Sequence, residues 1–333
     1  MADRLMPSRV FVGRRVFVGG LTSGILARPR IGRAQSARRV PRVGIVNYGV
    51  TSEMVGPSPR SPSISALLSG LRDLGLVYER DFVTEPRGAE RSPERVRGLA
   101  DELVRLRVDM IVASGVTLPA VKQATTTIPV VMVGSDDPVA RGHVRSLAHP
   151  GGNITGLSTQ GVETAAKRID LLKELVPAAA PVAVIWDQSS RPIWQATEAA
   201  ALMRGWKLLS LELRDAGDIE TAFGTAAKAR APGIVVAANR LTLGHVKRIV
   251  ELAVKSRLAA MYELRGFVEA GGLVSYGVNE IQMWRRSATF VAKILKGAKP
   301  SDLPVEQVNT FELVINLKAA KAIGLTIPQL MLL

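Results

Sequence analysis

Carboxylates, hydroxyls and aromatic rings recur at the carboxyl ends of short apolar runs along this 333-residue chain. In the first half these ends read Asn47-Tyr48, Ser114-Gly115-Val116-Thr117 and Ser135-Asp136-Asp137. In the second half they read Trp186-Asp187-Gln188-Ser189-Ser190, Asn239-Arg240 and Tyr262-Glu263. Gly115 to Thr117 leads into a helical pattern, whose free backbone N–H groups and positive dipole end favour a carboxylate. Asp136, Asp187 or Glu263 has the charge to hold an ammonium. Tyr48, Trp186 or Tyr262 offers a face to an apolar or aromatic body. Together these groups suit an amino-acid-like ligand. Each also has a plainer use: Ser114 and Thr117 as helix caps, Asp136-Asp137-Pro138 as a turn, Trp186 as packing between domains.

Catalysis fits the same residues poorly. Asp136 and Asp137 are adjacent, so in an extended chain their side chains point apart, a poor start for an acid/base pair. His143, His149 and His245 show no metal-ligand spacing, and none stands beside a candidate nucleophile. No G-x-S-x-G elbow or Walker phosphate loop occurs. The chain has no cysteine, which removes disulfides, thiolate metal sites and cysteine nucleophiles. The sequence predicts a binding protein with no catalytic residues, no metal and no cofactor.

The net charge of +15 invites a nucleic-acid reading, but its placement argues otherwise. Seven arginines and a single acid fall within residues 1–35, leaving +9 on the rest. The remaining basic residues alternate with acids, as in "RSPERVRGLADELVRLR", the pattern of a solvated helix face. No zinc-finger spacing, helix-turn-helix signature or aromatic-interleaved basic strand appears, and no nucleic-acid partner is expected. The N-terminus instead reads as an export leader over residues 1–34. Arg14-Arg15-Val16-Phe17 resembles a twin-arginine motif, although Gly13 and Gly19 replace the usual polar flanks. The apolar run Val16–Ala27 is too short to span a bilayer, which needs about 20 residues. Cleavage near Ala34 would leave a monomeric protein free in the periplasm.

Behind these residues stands a repeated grammar of strands and helices. "RVGIVNYG", "DFVTEPR", "DMIVASG" and "IPVVMVG" alternate with amphipathic helices, as βαβ units of a parallel sheet do. The series then restarts. "VGIVN" corresponds to "VAVIW", "MIVASGVTL" to "IVVAANRLTL", and "IPVVMVG" to "LAAMYEL". Such an internal duplication predicts an α/β protein of two doubly wound domains joined by a multi-strand hinge. The expected lobes are residues 42–153 with 277–306, and 156–273 with 307–325. Glycine-rich "HPGGNITG" and "EAGGLVSYG" mark the expected passages, near 151–157 and 271–277, with a third near 304–312. Gly152, Asn153, Thr155, Gly156, Gly272, Ser275 and Tyr276 are therefore expected at the hinge, the glycines for their backbone freedom. In two open sheets facing each other, the carboxyl ends of the strands line one cleft. All the candidate ligand residues lie at those ends.

The blocks "LLSGLRDLGLVYERDF", "LADELVRLRVDMIVASG", "TTTIPVVMVGSDDPV", "HPGGNITGLS", "AAKRIDLLKELVP", "FVEAGGLVSYG" and "FELVINLKAAKAIGL" occur in this order. Over roughly Arg42 to Leu325 the chain resembles the periplasmic substrate-binding proteins of ABC transporters, in the branch of tryptophan- and tyrosine-type binding proteins. The resemblance implies the type I periplasmic-binding architecture and capture of a small solute by cleft closure. It also implies an ABC permease and, through it, an ATPase as partners. Trp186-Asp187 stands where many relatives carry a Val-Asn-type pair, so the ligand does not transfer with the family. A periplasmic sensor that hands its closed form to a membrane receptor would share the same fold and leader. A DNA repressor of this fold would need an N-terminal helix-turn-helix, which the first 40 residues do not hold.

Overall fold

The computed structural model describes residues 39–55, 58–176 and 181–332. The export leader expected over residues 1–34 lies outside them. The chain opens with β1 (Arg42–Asn47), α1 (Pro62–Asp73), β2 (Val83–Gly88), α2 (Pro93–Arg105), β3 (Met110–Ser114), α3 (Leu118–Ala124), β4 (Val130–Asp136) and β5 (Ile154–Thr159). The series then restarts with α4 (Gly161–Leu175), β6 (Val182–Trp186), α5 (Arg191–Met203), β7 (Leu208–Glu212), α6 (Asp218–Lys228) and β8 (Gly233–Val236). It continues through α7 (Arg240–Gly244), α8 (Val246–Lys255), β9 (Ala259–Tyr262), α9 (Arg265–Glu269) and β10 (Val274–Val278). The chain closes with α10 (Glu280–Leu295), β11 (Glu306–Gln307), β12 (Phe311–Ile315) and α11 (Leu317–Ile323).

The strands form two six-stranded sheets, ordered β11-β5-β4-β3-β1-β2 and β12-β10-β9-β8-β6-β7. Position for position the orders match, as the duplicated sequence predicts. Central strands such as β1, β3, β6 and β8 are runs of valine, isoleucine and alanine buried on both faces. That is the pattern of parallel strands covered by helices on each side. Local chemistry sets the helix starts. Ser92 accepts a hydrogen bond from the Arg95 N–H at 3.4 Å, with Pro93 as the first helical residue of α2. Asn279 likewise caps α10, accepting from the Gln282 N–H at 2.9 Å.

The structure moves the first two expected passages downstream. β5 pairs in parallel with β4, Ile154 opposite Val130, so "HPGGNITG" belongs wholly to the first lobe. Asn153 donates to the Ile128 carbonyl at 2.8 Å and Thr155 to the Leu303 carbonyl at 2.6 Å, both first-lobe partners. Gly152, Asn153, Thr155 and Gly156 are therefore not hinge residues. The need for glycine at 156 is real but has another cause. Its φ is +133°, and a Cβ there would lie 2.2 Å from the Met132 carbonyl oxygen of the adjacent strand. In the same way Ser275 and Tyr276 sit inside β10 and Gly272 just before it, in the second lobe. The chain passes between sheets at Thr159–Gly161, at Val278–Glu280 and between β11 and β12. The third passage falls within the expected 304–312. The first lobe thus comprises residues 42–159 and 280–307, the second residues 161–278 and 311–332.

Candidate ligand-binding cleft

The carboxyl ends of both sheets face a cavity that offers about 190 Å³ to the centres of water-sized molecules. The first lobe contributes Ser114, Gly115, Val116, Ser135 and Asp136, and the second contributes Ser189, Asn239 and Glu263. These eight are the expected site residues that the fold brings together.

The other seven lie elsewhere, each for a visible reason. Asn47 folds back on its own loop, its side-chain oxygen accepting from the Gly49 N–H at 2.9 Å. Thr117 stands at the N-cap position of α3 without a side-chain cap bond, its hydroxyl donating instead to the Ser114 carbonyl at 2.8 Å and to the Val46 carbonyl at 3.3 Å. Asp187 and Ser190 satisfy each other in a reciprocal capping box that starts the helical turn before α5. Trp186 stacks on Trp194 with ring centroids 5.6 Å apart and donates to the Ser210 hydroxyl at 2.8 Å. Tyr262 is fully buried against Phe267, with its hydroxyl unpartnered and its acidity suppressed by burial. Tyr48 is 3% exposed and works across the cleft: its hydroxyl lies 2.9 Å from the Arg91 carbonyl and 3.0 Å from the Arg240 carbonyl of the other lobe.

The cavity's strongest chemistry comes from residues that sequence reasoning passed over. Arg168 on α4 is only 2% exposed and makes an ion pair with Glu263 at 3.1 Å. It also donates to the Tyr276 carbonyl at 2.9 Å and the Thr164 hydroxyl at 2.8 Å. The second Glu263 oxygen accepts from the Ala238 N–H at 2.9 Å. Burial pushes the Glu263 carboxyl up, Arg168 works against that, and the Asp136 carboxylate adds to it. Gly161, at the first passage, is wedged between these two acids: a Cβ would lie 2.5 Å from Asp136 Oδ1 and 2.9 Å from Glu263 Oε1. Asp136 in turn is held by the Thr159 hydroxyl.

Arg141, in the loop after β4, reaches across the cleft. Its Nη2 donates to the Ser189 carbonyl of the second lobe at 2.7 Å, and its Nε to the Asp136 carbonyl at 2.9 Å. Its Nη1 makes none of the described hydrogen bonds. The Gly115 N–H, expected to await an anion, donates instead to the Val133 carbonyl at 3.1 Å, and that of Thr117 to the Ser114 carbonyl at 2.9 Å. Arg141 is therefore the better carboxylate partner. His143 lines the same region with its Nδ1 buried and unpartnered. Burial, with Lys122 and Arg141 nearby, holds its imidazole down at about 4, so the ring is neutral at pH 7. The apolar wall comes from Val116, Val133, Leu243 and Leu264, and from Met283 and Trp284 in the first turns of α10. Glu280, the first residue of that helix, lines the cavity as well.

Among the described residues no cluster of metal-ligating side chains occurs, and no helix is long and apolar enough to cross a membrane. The sequence profile of a family described as "ABC transporter substrate binding protein" matches residues 50–333. The chain belongs to this family. It is a family of binding proteins and not of enzymes. A tyrosine-binding protein of Clostridioides difficile (strain R20291) is 22% identical over 283 residues, 84% of this chain and 81% of its own length. An ABC domain from Streptococcus pneumonia, solved in complex with L-Trp, superposes with a TM-score of 0.78 at 22% identity. That match covers 88% of this substrate-binding protein and 97% of the other chain. The ligand-free, open structure of a Clostridium difficile substrate-binding protein with adhesive properties gives 0.63, also at 22% identity, over 87% and 96% of the two chains. The fold is the type I periplasmic-binding architecture, two doubly wound lobes around one cleft.

Proposed function

We propose that this protein is the exported solute receptor of an ABC importer, and that it takes an amino-acid-like, carboxylated organic solute into the cleft between its lobes. The observation that carries the reading is the cavity itself. It joins an arginine whose Nη1 makes none of the described hydrogen bonds, Arg141, to an aromatic and aliphatic wall headed by Trp284 and Met283. An apolar enclosure with few, convergent polar groups is the usual form of a small-molecule site. Arg141 suits a carboxylate because its always-charged guanidinium still has Nη1 to donate a charge-assisted hydrogen bond. The names of the tyrosine- and L-Trp-binding relatives agree with an amino-acid-like ligand.

Capture works through the balance of open and closed forms. Arg141 to Ser189 and Tyr48 to Arg240 are hydrogen bonds between lobes, and both exist only when the cleft is shut. A solute that touches both lobes adds to these contacts and shifts the population towards the closed form. That form would be the one presented to the permease. The arginine-rich sequence of residues 1–34, read as an export leader, supports delivery to the periplasm, where such a receptor would work.

The test is a thermal-shift and calorimetric screen of the purified protein against the common L-amino acids, aromatic carboxylic acids and sugars. Carboxylated solutes should raise the melting temperature, and Arg141→Met should abolish the rise. A response to sugars alone, or one indifferent to Arg141, would refute the reading.

A further inference from the structure

Three carboxylates line the cleft cavity, and two already have partners. Asp136 is bonded by Thr159 and lies 3.9 Å from the Arg141 guanidinium. Glu263 is bonded by Arg168 and by the Ala238 N–H. Glu280 differs: among the described residues its carboxylate makes no hydrogen bond and no ion pair. Arg265, in α9, is committed to Glu269 at 2.8 Å and Glu312 at 3.5 Å. Val278, Leu264, Met283 and Trp284 line the same cavity. Of its arginines, Arg141 lies by Asp136, Arg168 is paired with Glu263, and neither these nor Arg240 makes a described ion pair with Glu280.

A first-turn glutamate ordinarily needs no further explanation, because the positive end of the helix favours it. Here that benefit is outweighed. Burial and the charges of Glu269 and Glu312 push the Glu280 carboxyl up to about 7. A half-buried acid with no ion-pair or hydrogen-bond partner of its own is a costly arrangement.

We propose that Glu280 seats a cationic group of the ligand, so that the cleft selects solutes bearing a protonated amine. The inference rests on the reading of the cleft as the solute site and names the charge that the solute must carry. Glu280 stands where the chain passes back from the second lobe to the first, at the head of the helix that also supplies Trp284. The amine would then sit at the hinge end of the cavity, beside the aromatic wall. Arg141, in the loop after β4, would take the carboxylate. An α-amino acid meets both conditions. A simple carboxylic acid meets one and leaves Glu280 uncompensated.

Calorimetry with wild type, Glu280→Gln and Val116→Trp tests this, using the common L-amino acids and, for each aromatic one, its des-amino acid. Val116→Trp fills the cavity, whereas Glu280→Gln keeps its shape. Wild type should bind at least one amino acid and prefer it to its des-amino partner. Glu280→Gln should weaken the amino acid about 10- to 100-fold, the range for a hydrogen bond to a charged group, and leave the des-amino acid unchanged. The role of Glu280 is overturned if the preference for the amine survives Glu280→Gln, if des-amino acids bind wild type equally well, or if no amine-bearing compound binds. Binding that persists in Val116→Trp would instead show that the solute sits outside the cleft, and would remove the underlying reading.

Discussion

Glu280 has a measurable effect before any ligand is added. Its carboxyl is pushed up to about 7, against 4.5 for an ordinary glutamate, chiefly by burial. At 1.36 kcal/mol per pH unit, that gap amounts to roughly 3 kcal/mol. The sign follows from proton linkage: between these two values the folded protein keeps a proton that the unfolded chain has released. The stability associated with this group is complete below about pH 4.5, declines as pH rises, and is gone above about pH 7. Glutamine has no charge to desolvate and escapes the decline. Glu280→Gln should therefore match wild type near pH 4 and exceed it by up to about 3 kcal/mol at pH 8. A difference of that size in a protein this large raises the melting temperature by about 5 °C or more. Melting curves of the two ligand-free proteins at half-unit steps from pH 4 to 8 would show the divergence. A constant offset across that range, or a variant less stable at pH 8, would refute the electrostatic argument.

Two further perturbations probe other parts of the cleft. Arg168→Met should cost about 3–5 kcal/mol in urea unfolding at pH 7, because it leaves the Glu263 carboxylate buried without its cation. Glu263→Gln in the same background should recover part of that loss, whereas additive losses would contradict the pairing. Tyr48→Phe removes a hydrogen bond between lobes, and should weaken solute binding about 2- to 10-fold by favouring the open form. Small-angle scattering should then show a larger average radius without ligand; an unchanged radius and affinity would deny Tyr48 a part in closure.

Much of the architecture was legible because its causes are local. The valine- and isoleucine-rich runs of β1, β3, β6 and β8 can be buried only in covered parallel strands, and their repetition in one order foretold two equivalent sheets. The passages were misplaced because glycine was taken to signal a bend between bodies. At Gly156 it signals close approach of two strands within one sheet. The site was half legible for a similar reason. Strand ends gave Ser114, Ser135, Asp136, Asn239 and Glu263, since sheet topology alone sends them to the cleft. Asp187, Ser190 and Thr117 sit at equivalent ends, but their side chains serve the nearest backbone N–H and C=O groups, as short polar residues at helix starts do. Arg141 lies in a loop without periodicity. Arg168 and Glu280 belong to helices whose patterns read as ordinary amphipathic faces. Only the point of passage between lobes turns the first turn of α10 inward, and the glycine error had set that passage several residues too early.

The run from Glu306 to Ile315 supplies the outer strand of both sheets, parallel to its neighbour in one and antiparallel in the other. Together with α10, which packs along α1, it means that neither lobe is a contiguous piece of chain. Until this run has been made, β5 and β10 both lack their outer neighbour. Folding here cannot proceed lobe by lobe in order of synthesis. Both halves are completed by this one run.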